Sequence, residues 1–330
     1  MDRRRRSSKV FRLFIAGAAR LIARYYLHNP YYAKRIAHFY RSPSMFGRDL
    51  LNHAAYRLRL QRAPVLPSYI TLEISSACNL KCPMCPQPER MRRPKGFMPF
   101  DTFRRVLDAN PHLRRVGLTN WGETLLHPEL GRLLAYAREK DVEVCLTTNA
   151  TLLTAERAAL LLDSEVMAVV FSLDGVGEGY EAVRGADYAK VLANIQRFLG
   201  MNAERGGRCY TEINCVVGAH NRAHHATLLK ELAAIGVDNV NMQSCQLYDG
   251  GPGGEGPAGR RRSPVCPELY RALTVLAQGD VVPCCVDYDG MSRLGNVNED
   301  PHIGTYFNGP AMRRLRTTDL RSDAAPVCCR

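Results

Sequence analysis

The sequence predicts an α/β protein with a parallel sheet, preceded by a basic helical extension and followed by a small region rich in cysteine. Three observations indicate this organisation. Short apolar segments alternate with helical segments between residues 68 and 243, the excess positive charge lies in the first fifth of the 330 residues, and most of the 12 cysteines gather in two places. Strands that alternate with helices form β/α units, whose strands pair in parallel.

Six β/α units are predicted. Strands are expected at 68–75, 114–120, 142–149, 166–174, 209–217 and 237–243, with helices between them at 100–109, 128–140, 154–164, 188–205 and 226–236. The strands after the first are apolar on both faces, so we expect helices to cover the sheet. Residues 248–265 are rich in Gly and Pro and are predicted to form a linker or lid rather than a regular element.

The extension at residues 1–65 is predicted to consist of amphipathic helices interrupted at Pro30 and Pro43. Residues 1–62 hold 15 Lys and Arg, two Asp and Glu, and ten aromatic side chains, and they account for the whole net charge of +13. Basic helices with aromatic side chains suit an anionic membrane surface. The alternative is an extension that packs on the body with its charges in solvent. No recognised nucleic-acid-binding module surrounds the charges, so nucleic acid is not an expected partner.

The start of the chain resembles a signal peptide, but Arg12, Arg20 and Arg24 interrupt its apolar stretch. No run of about 18 apolar residues is present to span a bilayer. We therefore expect a cytoplasmic protein, peripheral to the inner face of the membrane if the extension binds lipid. In that compartment the cysteines are expected to be metal ligands or free thiols rather than disulfides.

The stretch CNLKCPMC places Cys78, Cys82 and Cys85 in the loop directly after the first predicted strand. Three thiolates on one loop can bind three irons of a [4Fe–4S] cluster and leave the fourth iron open for another ligand. A structural zinc site needs a fourth protein ligand, and this loop contains none. A disulfide would not explain three cysteines.

This spacing, together with the motifs after the following strands, resembles the radical S-adenosylmethionine (radical SAM) superfamily. The resemblance implies a partial (β/α)6 TIM-like barrel over residues 66–247, with S-adenosylmethionine bound at the open iron. It also implies reductive cleavage of S-adenosylmethionine to a 5′-deoxyadenosyl radical that abstracts hydrogen from a substrate. A reductant such as flavodoxin or ferredoxin is an expected partner. No side chain is assigned as a catalytic residue.

The resemblance assigns contacts with S-adenosylmethionine to residues near the ends of the strands. They are Met84 and Val240 for the adenine, Gly122 and Glu123 with the neighbouring Asn120 for the amino group, Asn149 for the shape of the site, Ser172 for the ribose or the carboxylate, and Arg184 for the carboxylate. Trp121 replaces the first glycine of the family's Gly-Gly-Glu motif, and Met84 replaces a common aromatic residue. Met242, on the same strand as Val240, is a second candidate to flank the adenine. The alternatives are a surface residue for Arg184, taken alone, and a core residue for Val240 or Met242.

A second set of cysteines follows the linker. Cys266, Gly279 and Cys284 are spaced C-x12-G-x4-C, and the stretch between the two cysteines is predicted to form a hairpin that turns at Gly279. Residues 266–330 resemble the C-terminal SPASM extension of radical SAM proteins, or its shorter twitch form. The resemblance implies one auxiliary Fe–S cluster, expected to be [4Fe–4S], bound by Cys266, Cys284 and Cys328. The fourth ligand is left open between Cys329, Cys285, a substrate atom and a cysteine absent from this chain, and zinc is the alternative metal.

The function expected from these resemblances is an oxidoreductase reaction on a small molecule. A sugar or nucleotide sugar of natural-product biosynthesis is the first choice of substrate, with the auxiliary cluster aiding the oxidation. A peptide-modifying maturase and a radical C–C bond-forming enzyme are the enzymatic alternatives. A non-catalytic Fe–S or zinc scaffold at the membrane is the alternative from another class.

Overall fold

A computed structural model describes residues 43–218, 221–244 and 265–319. The helices are α1 (Pro43–Arg57), α2 (Phe100–Ala109), α3 (Leu130–Glu139), α4 (Ala155–Asp163), α5 (Glu178–Arg184), α6 (Tyr188–Glu204), α7 (His225–Ala234), α8 (Ile303–Phe307) and α9 (Pro310–Thr317). The strands are β1 (Tyr69–Leu72), β2 (Arg115–Leu118), β3 (Glu143–Thr148), β4 (Ala168–Ser172), β5 (Tyr210–Val217), β6 (Asn239–Ser244), β7 (Thr274–Val275), β8 (Asp280–Val282) and β9 (Gly295–Asn296). The basic segment up to residue 42, the linker before residue 265, and Cys328 and Cys329 lie outside the described residues. Lipid binding by the extension and the ligand roles of these two cysteines therefore stay predictions.

One sheet contains the described strands, in the order β6-β5-β4-β3-β2-β1-β7-β8-β9. Neighbouring strands from β1 to β6 pair in parallel, and each crossover carries at least one helix. This confirms the six predicted β/α units and the partial barrel. Because all six strands run the same way, the loops at their carboxyl ends share one edge of the sheet, where ligands bind in such folds.

The helices pack on one face of this sheet through apolar side chains at helical spacing. In α2, Phe103, Val106 and Leu107 are buried, while the intervening Arg104 and Arg105 are not. Side chains at i, i+3 and i+4 share one face of a helix, so this spacing directs α2 onto the sheet. The opposing sheet residues, such as Leu72, belong to the same hydrophobic core.

The opposite face of the sheet carries polar side chains beside a small apolar cluster that includes Cys145, Ala168 and Tyr210. The expectation that the strands are apolar on both faces is therefore only partly met. Arg115 of β2 forms an ion pair with Glu143 of β3, with Nη2 and Oε2 2.7 Å apart. Asn239 of β6 donates to the buried Glu212 of β5 over 2.8 Å. These contacts between neighbouring strands offset part of the cost of burying polar side chains, although Oδ1 of Asn239 has no hydrogen-bond partner among the described residues.

The hairpin predicted around Gly279 is confirmed, and it is continuous with the main sheet. β7 and β8 pair antiparallel, and Gly279 has a φ of +90°, in the region that favours glycine. β7 also pairs in parallel with β1, where Thr71 lies opposite Thr274. The region after the linker therefore extends the barrel sheet at its β1 edge.

One buried cation fixes helix α9 both to the region after the barrel and to the segment before it. The guanidinium of Arg316 is fully buried and donates to the backbone carbonyls of Leu269, Phe307 and Gln61, over 2.8 to 3.1 Å. The guanidinium carbon of Arg316, Cζ, lies 4.9 Å from the ring centroid of Tyr270. Burial lowers the pKa of Arg316 to about 10, so the side chain stays charged at neutral pH. Within the described ranges, no helix has the length and apolarity needed to cross a bilayer.

Replacing Arg316 with Met should lower the free energy of unfolding by about 3 kcal/mol, because several buried carbonyl groups lose their donor at once. Denaturant unfolding followed by circular dichroism measures the loss. Arg314→Met is the matched control, since Arg314 lies on the same helix and is exposed. A similar free energy of unfolding for the two variants would contradict the structural role of Arg316.

Candidate cluster and cofactor site

The three-cysteine loop lies at the edge of the sheet where the parallel strands end. Cys82 is buried, and Cys78 and Cys85 are half-buried. Backbone N–H groups point at two of the sulfurs: that of Leu80 lies 3.5 Å from Sγ of Cys78, and that of Gln87 lies 3.4 Å from Sγ of Cys85. Hydrogen bonds of this kind to the ligand sulfurs are among the features that set the potentials of iron–sulfur clusters.

The ionisation of the three thiols is coupled. Burial raises the pKa of Cys78, Cys82 and Cys85, in the last case to about 11, and the charge on Cys82 raises the pKa of both others further. The free thiols are therefore protonated at neutral pH, and binding iron has to displace their protons.

The three thiols on one loop have the number and spacing that a cubane cluster requires of its protein ligands. Among the residues that the structure describes, no three His, Cys, Asp or Glu side chains converge like the ligands of one metal ion. A cubane differs, because each thiolate binds a different iron. Three thiols on one loop, two of them with N–H groups directed at their sulfurs, could meet that requirement for three of the four irons.

A buried carboxylate lies beside this loop. Glu123 follows β2 and is 2% exposed; it accepts hydrogen bonds from Oγ1 of Thr148 and the backbone N–H of Asn149, each over 2.7 Å. The side-chain amide of Asn149 in turn lies 3.9 Å from Sγ of Cys78. Burial raises the pKa of Glu123, while its hydrogen bonds oppose that change. A carboxylate held in this way is suited to receive an ammonium group.

Gly122 brings the chain against the start of the cysteine loop. A Cβ at this position would lie 2.2 Å from the carbonyl oxygen of Ser75 and 2.7 Å from that of Ala77. The next backbone N–H, that of Glu123, donates to the same Ala77 carbonyl over 2.8 Å. Only a residue without a side chain permits this approach, which holds Glu123 next to Cys78.

Near the same loop, Arg184 pairs with a carboxylate that the sequence analysis missed. Nε and Nη2 of Arg184 each lie 2.6 Å from Oδ2 of the fully buried Asp174. The guanidinium also lowers the pKa of the Cys82 thiol, against the larger effect of burial. The side chain of Arg184 is only 13% exposed, so it is not a surface residue. Asp174 lies in the same FSLDG stretch as Ser172, which ends β4 and is half-buried.

The two residues predicted to contact adenine differ in their placement. Met84 is half-buried within the cysteine loop, next to Cys85. Val240 is 3% exposed and belongs to the hydrophobic core, and Met242 packs against the same core. The side chain of Asn241, between them, donates to Asn214 on the polar face. This placement argues against a contact between Val240 and the cofactor, because strand side chains alternate between faces.

Asn120 faces a second buried carboxylate, Glu73, just after β1. The side-chain amide of Asn120 donates to Oε1 of Glu73 over 3.0 Å, and Nη2 of Arg93 lies 2.5 Å from the same oxygen. The backbone N–H of Ala277, in the C-terminal hairpin, donates to Oε2 over 3.1 Å. Glu73 thus joins the loop after β2, the cysteine loop and the hairpin, although nothing in its local sequence indicated a role.

The loop after β2 also contacts the second set of cysteines. The indole N–H of Trp121 donates to the backbone carbonyl of Cys285 over 2.7 Å, and its ring packs edge-on against Tyr288. Sγ of the adjacent Cys284 accepts from the N–H of Val286 over 3.3 Å. Cys285 is exposed, and a hydrogen bond with Cys284 lowers its pKa. Cys266 is half-buried and precedes a short 3-10 helix at Pro267–Tyr270.

Family models match both halves of this arrangement. The radical SAM superfamily model matches residues 72–232, and the SPASM model, an iron–sulfur cluster-binding domain, matches residues 266–330. The chain thus contains a radical SAM domain followed by a SPASM domain. The radical SAM domain implies a [4Fe–4S] cluster and S-adenosylmethionine, and the SPASM domain implies auxiliary Fe–S clusters. The cysteine loop and the hairpin lie in the two matched ranges.

Curated relatives of this radical SAM chain match only parts of it. A tungsten-containing aldehyde ferredoxin oxidoreductase cofactor-modifying protein of Pyrococcus furiosus is 30% identical over 176 residues, 52% of this chain and 49% of that protein. The PqqA peptide cyclase of Bradyrhizobium diazoefficiens is 31% identical over 118 residues, 34% of this chain and 30% of that protein. The matched region thus spans half of these relatives' length or less.

Solved structures share the fold. Streptococcus suis SuiB bound to the precursor peptide SuiA aligns with a TM-score of 0.62 and 16% identity, over 88% of this chain and 72% of that chain. At this identity the likeness establishes the fold and leaves the substrate open.

Gly122→Ala should lower the free energy of unfolding by about 2 kcal/mol and reduce the iron retained after anaerobic reconstitution, since the added methyl group overlaps the carbonyls of Ser75 and Ala77. Gly179→Ala is the matched control. Gly179 lies in α5 with open space around its Cα, so a methyl group there should be neutral or stabilising by about 0.5 kcal/mol. Normal iron retention by Gly122→Ala would show that the close approach is not needed.

Proposed function

We propose that this protein is a radical SAM enzyme that cleaves S-adenosylmethionine reductively and modifies a peptide substrate by removing hydrogen from a C–H bond. The observation that carries the first part is the placement of Glu123 and Arg184 near the three-cysteine loop, where burial most strongly raises the pKa of the Cys78 thiol, Glu123 raises it further and Arg184 lowers it. Their opposite charges match the ammonium and the carboxylate of the amino-acid portion of S-adenosylmethionine. A scaffold protein would have no need for this pair.

The peptide substrate is supported by the relatives rather than by the site. One matched relative is a cyclase of a peptide, PqqA. The sugar or nucleotide sugar that was the first choice from the sequence has no comparable support among the matches given above. We therefore place the peptide first and keep the small-molecule substrate as the alternative.

Cys78, Cys82 and Cys85 would hold the cluster of the radical SAM domain. The bound cluster and S-adenosylmethionine supply an electron and an organic radical that can break a C–H bond. The chain's own residues bind and orient: Glu123 fixes the ammonium group, and Arg184, held by Asp174, presents N–H donors to the carboxylate. Because Glu123 and Asp174 are buried, these contacts act in a medium of low dielectric, where charge pairs are stronger than in water.

The auxiliary cluster is proposed to lie close to this centre. Cys285 contacts the loop after β2 through Trp121, and the same loop carries Gly122 and Glu123. A cluster bound there would be placed to accept an electron from the substrate radical that hydrogen abstraction leaves, or to bind the substrate directly. A single auxiliary cluster, with Cys266, Cys284 and Cys328 as ligands, stays a prediction, as does flavodoxin or ferredoxin as the reductant. The fourth ligand stays open between Cys329, Cys285, a substrate atom and a cysteine absent from this chain.

The cofactor assignment is tested by replacing Cys78, Cys82 and Cys85 together with Ala. The wild-type chain should hold about eight irons after anaerobic reconstitution and the triple variant about four. The variant should form no 5′-deoxyadenosine with dithionite and S-adenosylmethionine. Cys209→Ala is the control, because Cys209 is a buried thiol of the hydrophobic core and should not change the iron content. Formation of 5′-deoxyadenosine by the triple variant would refute the assignment.

The substrate class is tested by anaerobic turnover with two panels, short peptides encoded near the gene and a set of aminocyclitols and nucleotide sugars. A peptide substrate should raise 5′-deoxyadenosine formation above the uncoupled rate and yield a product whose mass differs from that of the peptide. Deuterium at the reacting carbon should appear in 5′-deoxyadenosine. Stimulation by a member of the second panel alone would reverse the proposed order.

A further inference from the structure

Tyr180 is fully buried, and its hydroxyl has no hydrogen-bond partner among the residues that the structure describes. Buried hydroxyls are normally paired, so an exception requires an explanation. Tyr180 lies on α5 four residues before Arg184, which places both side chains on the same face of the helix. The unpaired hydroxyl therefore belongs to the side of α5 that faces the candidate site.

The charged groups near Tyr180 are those of the site. Burial raises the pKa of Tyr180 to about 12; Arg184 opposes this change, while the Cys82 thiol, Asp174 and Glu123 add to it. The phenol is therefore neutral at pH 7 and is available as a hydrogen-bond donor.

The neighbouring carboxylates already have donors. One oxygen of Asp174 accepts from the N–H of Val216 over 2.7 Å, and the other accepts from Arg184. Both oxygens of Glu123 accept hydrogen bonds, from Thr148 and from backbone N–H groups. The hydroxyl of Tyr180 is thus a donor whose acceptor the described part of the chain does not supply.

We propose that Tyr180 is a positioning residue for S-adenosylmethionine, whose carboxylate accepts a hydrogen bond from the phenol beside Arg184. A carboxylate next to Arg184 would accept from the guanidinium and the phenol together, which fixes its orientation as well as its position. The inference rests on the cofactor of the proposed function and is independent of the peptide substrate. Two other acceptors are conceivable, a Cys82 thiolate after cluster assembly and a buried water molecule, and each predicts a different result.

The test is Tyr180→Phe, which removes the hydroxyl and keeps the ring that packs 5.6 Å from the ring of Tyr188. Equilibrium dialysis with the anaerobically reconstituted protein should show about ten-fold weaker binding of S-adenosylmethionine, the loss expected for a hydrogen bond to a charged group. The cluster-free variant should be as stable to heat as the wild type, or more stable, because an unpaired buried hydroxyl has been removed. If the Tyr180 hydroxyl had only a structural role, Tyr180→Phe would lower the heat stability of the cluster-free protein and leave the affinity for S-adenosylmethionine unchanged.

Two controls assign the effect to the carboxylate. Tyr188→Phe removes a hydroxyl from the half-buried ring beside Tyr180 and should leave the affinity for S-adenosylmethionine unchanged. Decarboxylated S-adenosylmethionine should bind the wild type and Tyr180→Phe equally, since the proposed acceptor is absent from that ligand.

Three outcomes would overturn the proposal. Equal affinity of the wild type and Tyr180→Phe for S-adenosylmethionine would show that the Tyr180 hydroxyl does not donate to the carboxylate. A lower melting temperature of the cluster-free variant with unchanged affinity would identify a buried water as the partner. A reduction potential of the cluster that differs between Tyr180→Phe and the wild type without S-adenosylmethionine, again with unchanged affinity, would identify the Cys82 thiolate as the acceptor. Failure of the reconstituted wild type to bind S-adenosylmethionine would refute the cofactor assignment itself, so the two failures are distinguishable.

Discussion

The site depends on one buried ion pair that closes the cysteine loop. Glu73 ends the first strand segment, and Arg93 follows the three cysteines, so their contact joins the two ends of the loop that contains Cys78 and Cys85. Glu73 is fully buried, and its second oxygen accepts from the N–H of Ala277. Removing one member of such a pair leaves an unpaired buried charge, which typically costs about 3–5 kcal/mol. The placement of the three cysteines therefore depends on the ion pair between Glu73 and Arg93, in which none of the cysteines takes part.

The same pair determines how the C-terminal region sits on the barrel. Arg93 also donates to the carbonyl of Tyr288 and to the side chain of Gln278, and its N–H donates to Asp289. These contacts act together with the parallel pairing of β7 on β1, so the hairpin is both a continuation of the sheet and a support of the cysteine loop. Trp121 adds a contact from the loop after β2. The family motif has a glycine at this position, which has no side chain to contact Cys285. The contact between the loop after β2 and the C-terminal region is therefore partly specific to this chain.

The features that sequence alone predicted are those set by local patterns. The helix expected at 100–109 is observed as Phe100–Ala109, because its apolar spacing specifies one buried face, and the hairpin at Gly279 follows from a turn that needs a positive φ. The features that were missed depend on partners distant in sequence. The polar face of the sheet could not be recognised, since Arg115 and Glu143 become compatible with burial only once β2 and β3 lie side by side. Glu73 was missed for the same reason.

The charges of the site explain why a second donor is needed beside Arg184. Its guanidinium has five N–H groups, of which those on Nε and Nη2 are directed at Asp174, and it also interacts with the Cys82 thiol. Asp174 fixes the guanidinium of Arg184 in place but neutralises part of its charge. A carboxylate that binds there therefore meets a weaker positive field than an unpaired arginine would provide. A neutral donor such as the phenol of Tyr180 strengthens binding without adding a charge that Asp174 or the cysteines would have to balance. Orientation by Asp174 and additional hydrogen bonding by Tyr180 are therefore complementary solutions to the same constraint, a single cation shared between a fixed carboxylate and a ligand.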